Sequence, residues 1–132
     1  MTAQSGTCLF CKLDRQRILH QSPLAVVCPD SFPVSVGHCL VIPRRHIASL
    51  FDATEDEQRD MLQLLGEARN GIQKAHAPAG FNIGINDGPA AGQSIPHLHI
   101  HLIPRYTGDV AEPRGGVRWV LPAHANYWSS RR

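Results

Sequence analysis

The chain has 132 residues, 42% of them hydrophobic, and a formal net charge of +2. That length suits one domain with a real core, and the charge is too small to point to a nucleic-acid surface or an acidic membrane. The opening residues hold no apolar run of signal-peptide length and no segment approaches a membrane span, so a cytoplasmic, reducing setting is the expectation.

Cys8 and Cys11 come first, with two residues between them. In a reducing compartment this spacing reads as a pair of metal ligands or as plain thiols. A thioredoxin-like redox pair fits less well, because no strand precedes it. "LAVVCPD" (24–30) is a short apolar run ended by Pro-Asp and reads as a strand. "GHCLVIPRRH" (37–46) alternates and stops at Pro43, so a second strand is expected there. Cys28 and Cys39 fall inside these strands and read as small buried apolar residues. Thr54 and Glu57 then form an S/T-x-x-E capping box. Met61, Leu64, Leu65, Ala68, Ile72 and Ala75 follow as one stripe at helical spacing, which marks a long helix with its core face.

"GFNIGIND" (80–87) reads as a third strand, with Phe81, Ile83 and Ile85 on one face and Asn82, Gly84 and Asn86 on the other. A small-residue loop, "GPAAGQS", leads into "IPHLHIHLIPRY". There His97, His99 and His101 alternate with Leu98, Ile100 and Leu102, so a strand ended by Pro104 would turn three imidazoles to one face and three aliphatic chains to the core. The tail from Ala111 onward carries Gly, Pro and both tryptophans, and is expected to be mostly loop lying over the body or over a partner. Strands around one inserted helix suggest an α+β fold with an antiparallel sheet.

Three consecutive face-sharing histidines admit two chemistries. One is a metal held by all three rings, since imidazole is a common zinc ligand. The other is nucleophilic attack by one ring, with its neighbours binding an anion. Gln93, Ser94 and Asn86 favour the second reading: they offer hydroxyl and amide donors beside the histidines, and no carboxylate lies in the local run.

"HLHIHLI" resembles the signature of the histidine triad family of nucleotide hydrolases and transferases. "GHCLVIPRRHI", "NIGINDGPAAGQS" and "LIPRY" also resemble segments of that family, in the same order, over most of the chain. The resemblance implies an α+β fold of about five mainly antiparallel strands, one long helix and a short one. It implies a single domain over 1–132, with a core at about 8–106 and a tail at about 107–132. It makes His99 the nucleophile that attacks the α-phosphorus of a purine nucleotide. His101, Asn86, Gln93 and Ser94 become phosphate contacts, with Ser94 able to protonate the leaving group. Asp30 takes the position of a ribose-binding acid, and Val27 and Phe32 are expected near the base. His38 matches a histidine beside the site, although a histidine on a sheet face is an equally plain reading. A subset of the family implies a structural zinc on Cys8, Cys11, His46 and His97, leaving no catalytic cofactor. It also implies a homodimer, and Arg114 and Arg118 in the tail are expected to be available to phosphate or to Glu112.

Overall fold

The computed structural model describes residues 5–129; residues 1–4 and 130–132, the ends of the expected domain, lie outside the described residues. Five strands form one sheet: β1 (His20–Gln21), β2 (Ala25–Pro29), β3 (Cys39–Pro43), β4 (Gly80–Gly84) and β5 (Ile100–Arg105). Their order is β1-β2-β3-β5-β4 and every pairing is antiparallel. One helix, α1 (Glu55–His76), lies between β3 and β4 in sequence. The expected short helix takes the form of 3-10 turns, among them Leu50–Asp52 and Gly116–Val120. No helix among the described residues is long and apolar enough to cross a membrane.

The capping box forms as read. Thr54 accepts from the Glu57 backbone N–H, and the Glu57 side chain accepts from the Thr54 N–H. Met61, Leu64, Ala68 and Ile72 are buried and Leu65 packs at the margin, but Ala75 is exposed. Under the helix lie Ala25, Val27, Cys39, Val41, Leu98, Ile100 and Leu102. Burying each large aliphatic chain there contributes about 1.5–3 kcal/mol.

Two strand expectations need correction. Cys39–Pro43 is buried at every position rather than alternately, because α1 covers one face and Phe10, Leu13 and Ile18 cover the other. The histidine strand begins at Ile100, not at His97. Upstream of it, the Leu98 N–H goes to the Ile47 carbonyl at 2.6 Å instead of into the sheet ladder. It also runs one residue past Pro104, to Arg105. The third strand is shorter than read, ending at Gly84, and β1 is an added two-residue strand with too few residues to show any period.

Candidate active site

The hairpin between β2 and β3 sets Asp30 against His38. The Asp30 N–H donates to the His38 carbonyl at 3.1 Å, one pair beyond Pro29 and Cys39. The β3–β5 register pairs Leu40 with His101, so His101 stands beside His38 on the face away from α1. The intervening loop is clamped to β5: Ser35 Oγ donates to the Pro104 carbonyl and the Tyr106 hydroxyl to the Val36 carbonyl, each at 2.7 Å. Gly37 has φ +95, and a Cβ there would come within 3.2 Å of Pro104 and 3.3 Å of Ile72. Only glycine fits this closure, which delivers His38 to the site.

The histidines carry their protons in an order the partners dictate. A carbonyl only accepts, so His97 donates Nε2–H to the Pro43 carbonyl and His99 donates Nδ1–H to the His97 carbonyl, both at 2.8 Å. His97 therefore keeps a lone pair on Nδ1, and His99 keeps one on Nε2. At His38 the Val34 N–H donates to Nδ1 at 3.1 Å, so the ring proton sits on Nε2 and reaches His101 Nδ1 at 3.0 Å. That leaves His101 with an Nε2–H to donate. Burial pushes His101 below its ordinary pKa, with His99 and His38 adding to it. Burial lowers His38 as well, against an opposing pull from Asp30. Burial thus favours the neutral forms of His38 and His101, whose tautomers these partners fix.

His99 and His101 line a cavity of about 490 Å³ together with Phe10, Asp30, Asn86 and Ser94. Asp30 Oδ1 accepts the Phe32 N–H at 2.8 Å, and its Oδ2 lies 3.3 Å from His38 Nε2. Phe32 lines the cavity as expected. Val27 does not, because its side chain belongs to the core under α1. Gln93 is also absent from the lining. Its Nε2 donates to the Ala48 and Ile95 carbonyls at 2.9 and 3.2 Å, and its Oε1 accepts the Gly88 N–H at 2.8 Å. The amide braces the loop that presents Ser94. Phe10, between the two N-terminal cysteines, sits edge-on to His99 at 5.0 Å. Nothing in the periodicity of so short a loop marks it in advance.

The tail folds on itself. Arg118 donates to the Ala125 and His124 carbonyls and lies over Tyr127. Arg114 lies over Trp128, with Glu112 3.7 Å away. Neither arginine lines the histidine cavity. A second cavity, of about 520 Å³, lies between this tail and the end of β5; its cation, Arg105, is fully engaged by Asp109 and Asn82.

Cys8, Cys11, His46 and His97 converge. Their ligand atoms are 3.4 Å (Cys8 Sγ to His97 Nδ1), 3.5 Å (Cys11 Sγ to His97 Nδ1), 3.3 Å (Cys11 Sγ to His46 Nδ1) and 3.2 Å (His46 Nδ1 to His97 Nδ1) apart. A tetrahedral zinc with ordinary Zn–S and Zn–N bonds spans edges of about 3.3–3.6 Å for such pairs, so the donor set fits that ion. Asp30, His38 and His101 also cluster closely enough for a metal. That reading conflicts with the tautomers: His38 cannot offer Nε2 as a ligand while its Nδ1 accepts the Val34 N–H. A single metal held by His97, His99 and His101 fails likewise, because the lone pairs of His97 and His99 serve different sites. Cys28 and Cys39 are held as thiols, pushed by burial up to about 11 and about 12.

The HIT domain family model matches residues 13–108. The asymmetrical bis(5'-nucleosyl)-tetraphosphatase of Schizosaccharomyces pombe is 35% identical over 96 residues, covering 73% of this chain and 53% of that protein. Adenosine 5'-monophosphoramidase of the same yeast is 33% identical over 103 residues, covering 75% of this chain and 74% of its own length. Among solved structures, a Zn-bound histidine triad family protein from Mycobacterium smegmatis aligns with TM-score 0.72 and 30% identity, over 83% of this chain and 82% of that one. The chain spans about half the length of the first curated relatives it matches. With the family model spanning the sheet, the helix and all three histidines, the chain belongs to the HIT domain family.

Proposed function

We propose that the chain is a hydrolase that cleaves at the α-phosphorus of a purine nucleoside phosphoramidate or dinucleoside polyphosphate through a covalent nucleotidyl-His99. The observation that carries this reading is the 2.8 Å bond from His99 Nδ1–H to the His97 carbonyl, which leaves the Nε2 lone pair for attack beside a cavity lined by donors. In the first step Nε2 forms a bond to phosphorus as the bond to the leaving nitrogen or oxygen breaks. Ser94 Oγ–H or water supplies the leaving group's proton. Water then attacks phosphorus and gives its proton to Ser94 Oγ or to solvent, the P–N bond breaks with its electron pair returning to His99 Nε2, and the nucleoside monophosphate departs. His101 Nε2–H and the Asn86 amide donate to the phosphorus oxygens, where charge builds. Asp30 accepts ribose hydroxyls, and Phe32 borders the base.

Zinc is proposed on Cys8, Cys11, His46 and His97, where it would pin the N-terminal segment to the sheet. The tetrahedral spacing and the Zn-bound relative support it. We read the chain as one domain, working in the cytoplasm, and as a homodimer. In support of the dimer, β4 is an edge strand, Ile83 is 49% exposed on it, and Leu62 is 64% exposed on α1.

The test is product analysis with adenosine phosphoramidate and, separately, diadenosine tetraphosphate, each run beside His99→Ala. AMP from the first or AMP plus ATP from the second supports the reading and names the leaving group. Release from neither by the native chain, with nucleotide still bound, would move the assignment to a nucleotide-binding scaffold.

A further inference from the structure

Asp30 faces two histidines at once, and ribose recognition does not require that. Its Oδ1 is held by the Phe32 N–H, which aims Oδ2 at His38 Nε2, 3.3 Å away, and at His101 Nδ1, 3.8 Å away. The side chains are secluded, 3% exposed for His38 and 16% for Asp30, so charges there are weakly screened. We propose that Asp30 is the charge partner of His101, so that arrival of a substrate phosphate draws a proton from solvent onto that ring. The proposal rests on the nucleotide reading of the pocket and assigns this carboxylate a task beyond the sugar.

The protons leave few alternatives. His38 must keep its Nε2–H, because Val34 occupies Nδ1. While His101 is neutral, that Nε2–H has an acceptor in His101 Nδ1 at 3.0 Å. A second proton on His101 goes to Nδ1, and two N–H groups then oppose each other. The anion beside both is Asp30 Oδ2, 3.3 Å from His38 Nε2 and within ion-pair distance of His101 Nδ1 at 3.8 Å. A carboxylate offers about four lone-pair sites, so a ribose hydroxyl can be received alongside.

The other groups around this triangle do not supply the missing charge. His99 faces His101 from the same segment with its ring 5.1 Å away. β4 presents Gly84 opposite His101. Cys28 lies on the Asp30 side as a thiol, and Arg17 there is bonded to Ser31 Oγ and the Pro29 carbonyl; Lys12 and Asp14 line the same cavity from the N-terminal segment, where Asp14 accepts the Gln16 N–H. Burial, then His99 and His38, disfavour the imidazolium, and Asp30 is the group that favours it. A phosphate at the Nε2 side adds negative charge on the opposite edge of the ring, so His101 is clamped between two anions when substrate binds.

The full chain with ring-¹⁵N-labelled histidine would be titrated by NMR without ligand, with AMP, and with 2',3'-dideoxy-AMP. The expected result is that AMP raises the doubly protonated fraction of His101 near pH 6. Dideoxy-AMP should raise it equally. Asp30→Asn should lower the fraction by at least about threefold in all three states, at unchanged melting temperature. A carboxylate that serves the sugar alone would leave the ligand-free titration of Asp30→Asn superimposed on the native one, and that result overturns the proposal. Failure of AMP to move any histidine resonance would sink the nucleotide reading instead, while the ligand-free pair of titrations still decides the Asp30–His101 link.

Discussion

Gln93 makes three hydrogen bonds to backbone groups, two donated and one accepted, and so ties the Ser94 loop to the segment after β3. Gln93→Ala should lower the stability of the ligand-free protein by about 1–3 kcal/mol, measured by urea denaturation, since it strands partly buried groups. A surface phosphate contact would cost nothing in that experiment. His99→Ala should reduce turnover at least about 10³-fold with the fold intact, as removal of a nucleophile does; comparable turnover by the variant would reject the assignment. Sequence reading located the imidazoles and found Asn86, Ser94 and Asp30 at one cavity. It did not foresee the backbone bonds of Gln93 or the core position of Val27, because an amide or an apolar side chain does not announce its partners. The same limit applies to Arg114 and Arg118, whose partners lie within the tail itself but depend on 3-10 turns that carry no period.

At the scale of elements, α1 is anchored by one residue in two roles. Glu57 closes the capping box and also takes a bidentate pair of bonds from Arg45, at 2.8 and 3.0 Å. Those Arg45 bonds hold its carboxyl down at about 2, against an ordinary 4.5. Its stabilising contribution is therefore complete above about 4.5 and is lost as the pH falls toward about 2. The gap in melting temperature between the native chain and Glu57→Gln should narrow over that window. Thr54→Ala should cost about 1 kcal/mol through loss of the cap, read from the same denaturation curves. Gly37→Ala should be more damaging, because the new Cβ meets Pro104 and Ile72 and the backbone stays strained. Capping chemistry and the helical stripe were legible because both are local. The burial of β3 on both faces was not, since it depends on Phe10, Leu13 and Ile18 arriving from a distant loop. β1 was missed because two residues cannot display an alternation.

For the molecule as a whole, the segment 46–50 joins the two centres. His46 belongs to the cysteine cluster, the Ile47 carbonyl accepts the Leu98 N–H between His97 and His99, the Ala48 carbonyl accepts from Gln93, and Ser49 Oγ donates to Asp87 next to Asn86. If the proposed zinc is bound, a chelator should lower the melting temperature first and turnover at low temperature later; a still-folded chelated protein that loses activity at once would contradict a structural role. Elemental analysis of the native chain against Cys8→Ser checks occupancy.

Phe10 gives the N-terminal segment a voice that can be heard without any assay of chemistry. Its ring stands edge-on to both His97 and His99, with centroids 5.9 and 5.0 Å away. Aromatic ring currents perturb protons at that range, so the carbon-bound ring protons of the two histidines carry a magnetic imprint of the docked loop. If the cysteine segment lifts from the sheet, that imprint vanishes from both rings together. A one-dimensional proton spectrum then reports the seating of residues remote from α1, in an unmodified chain, on the same sample in which chemistry is followed.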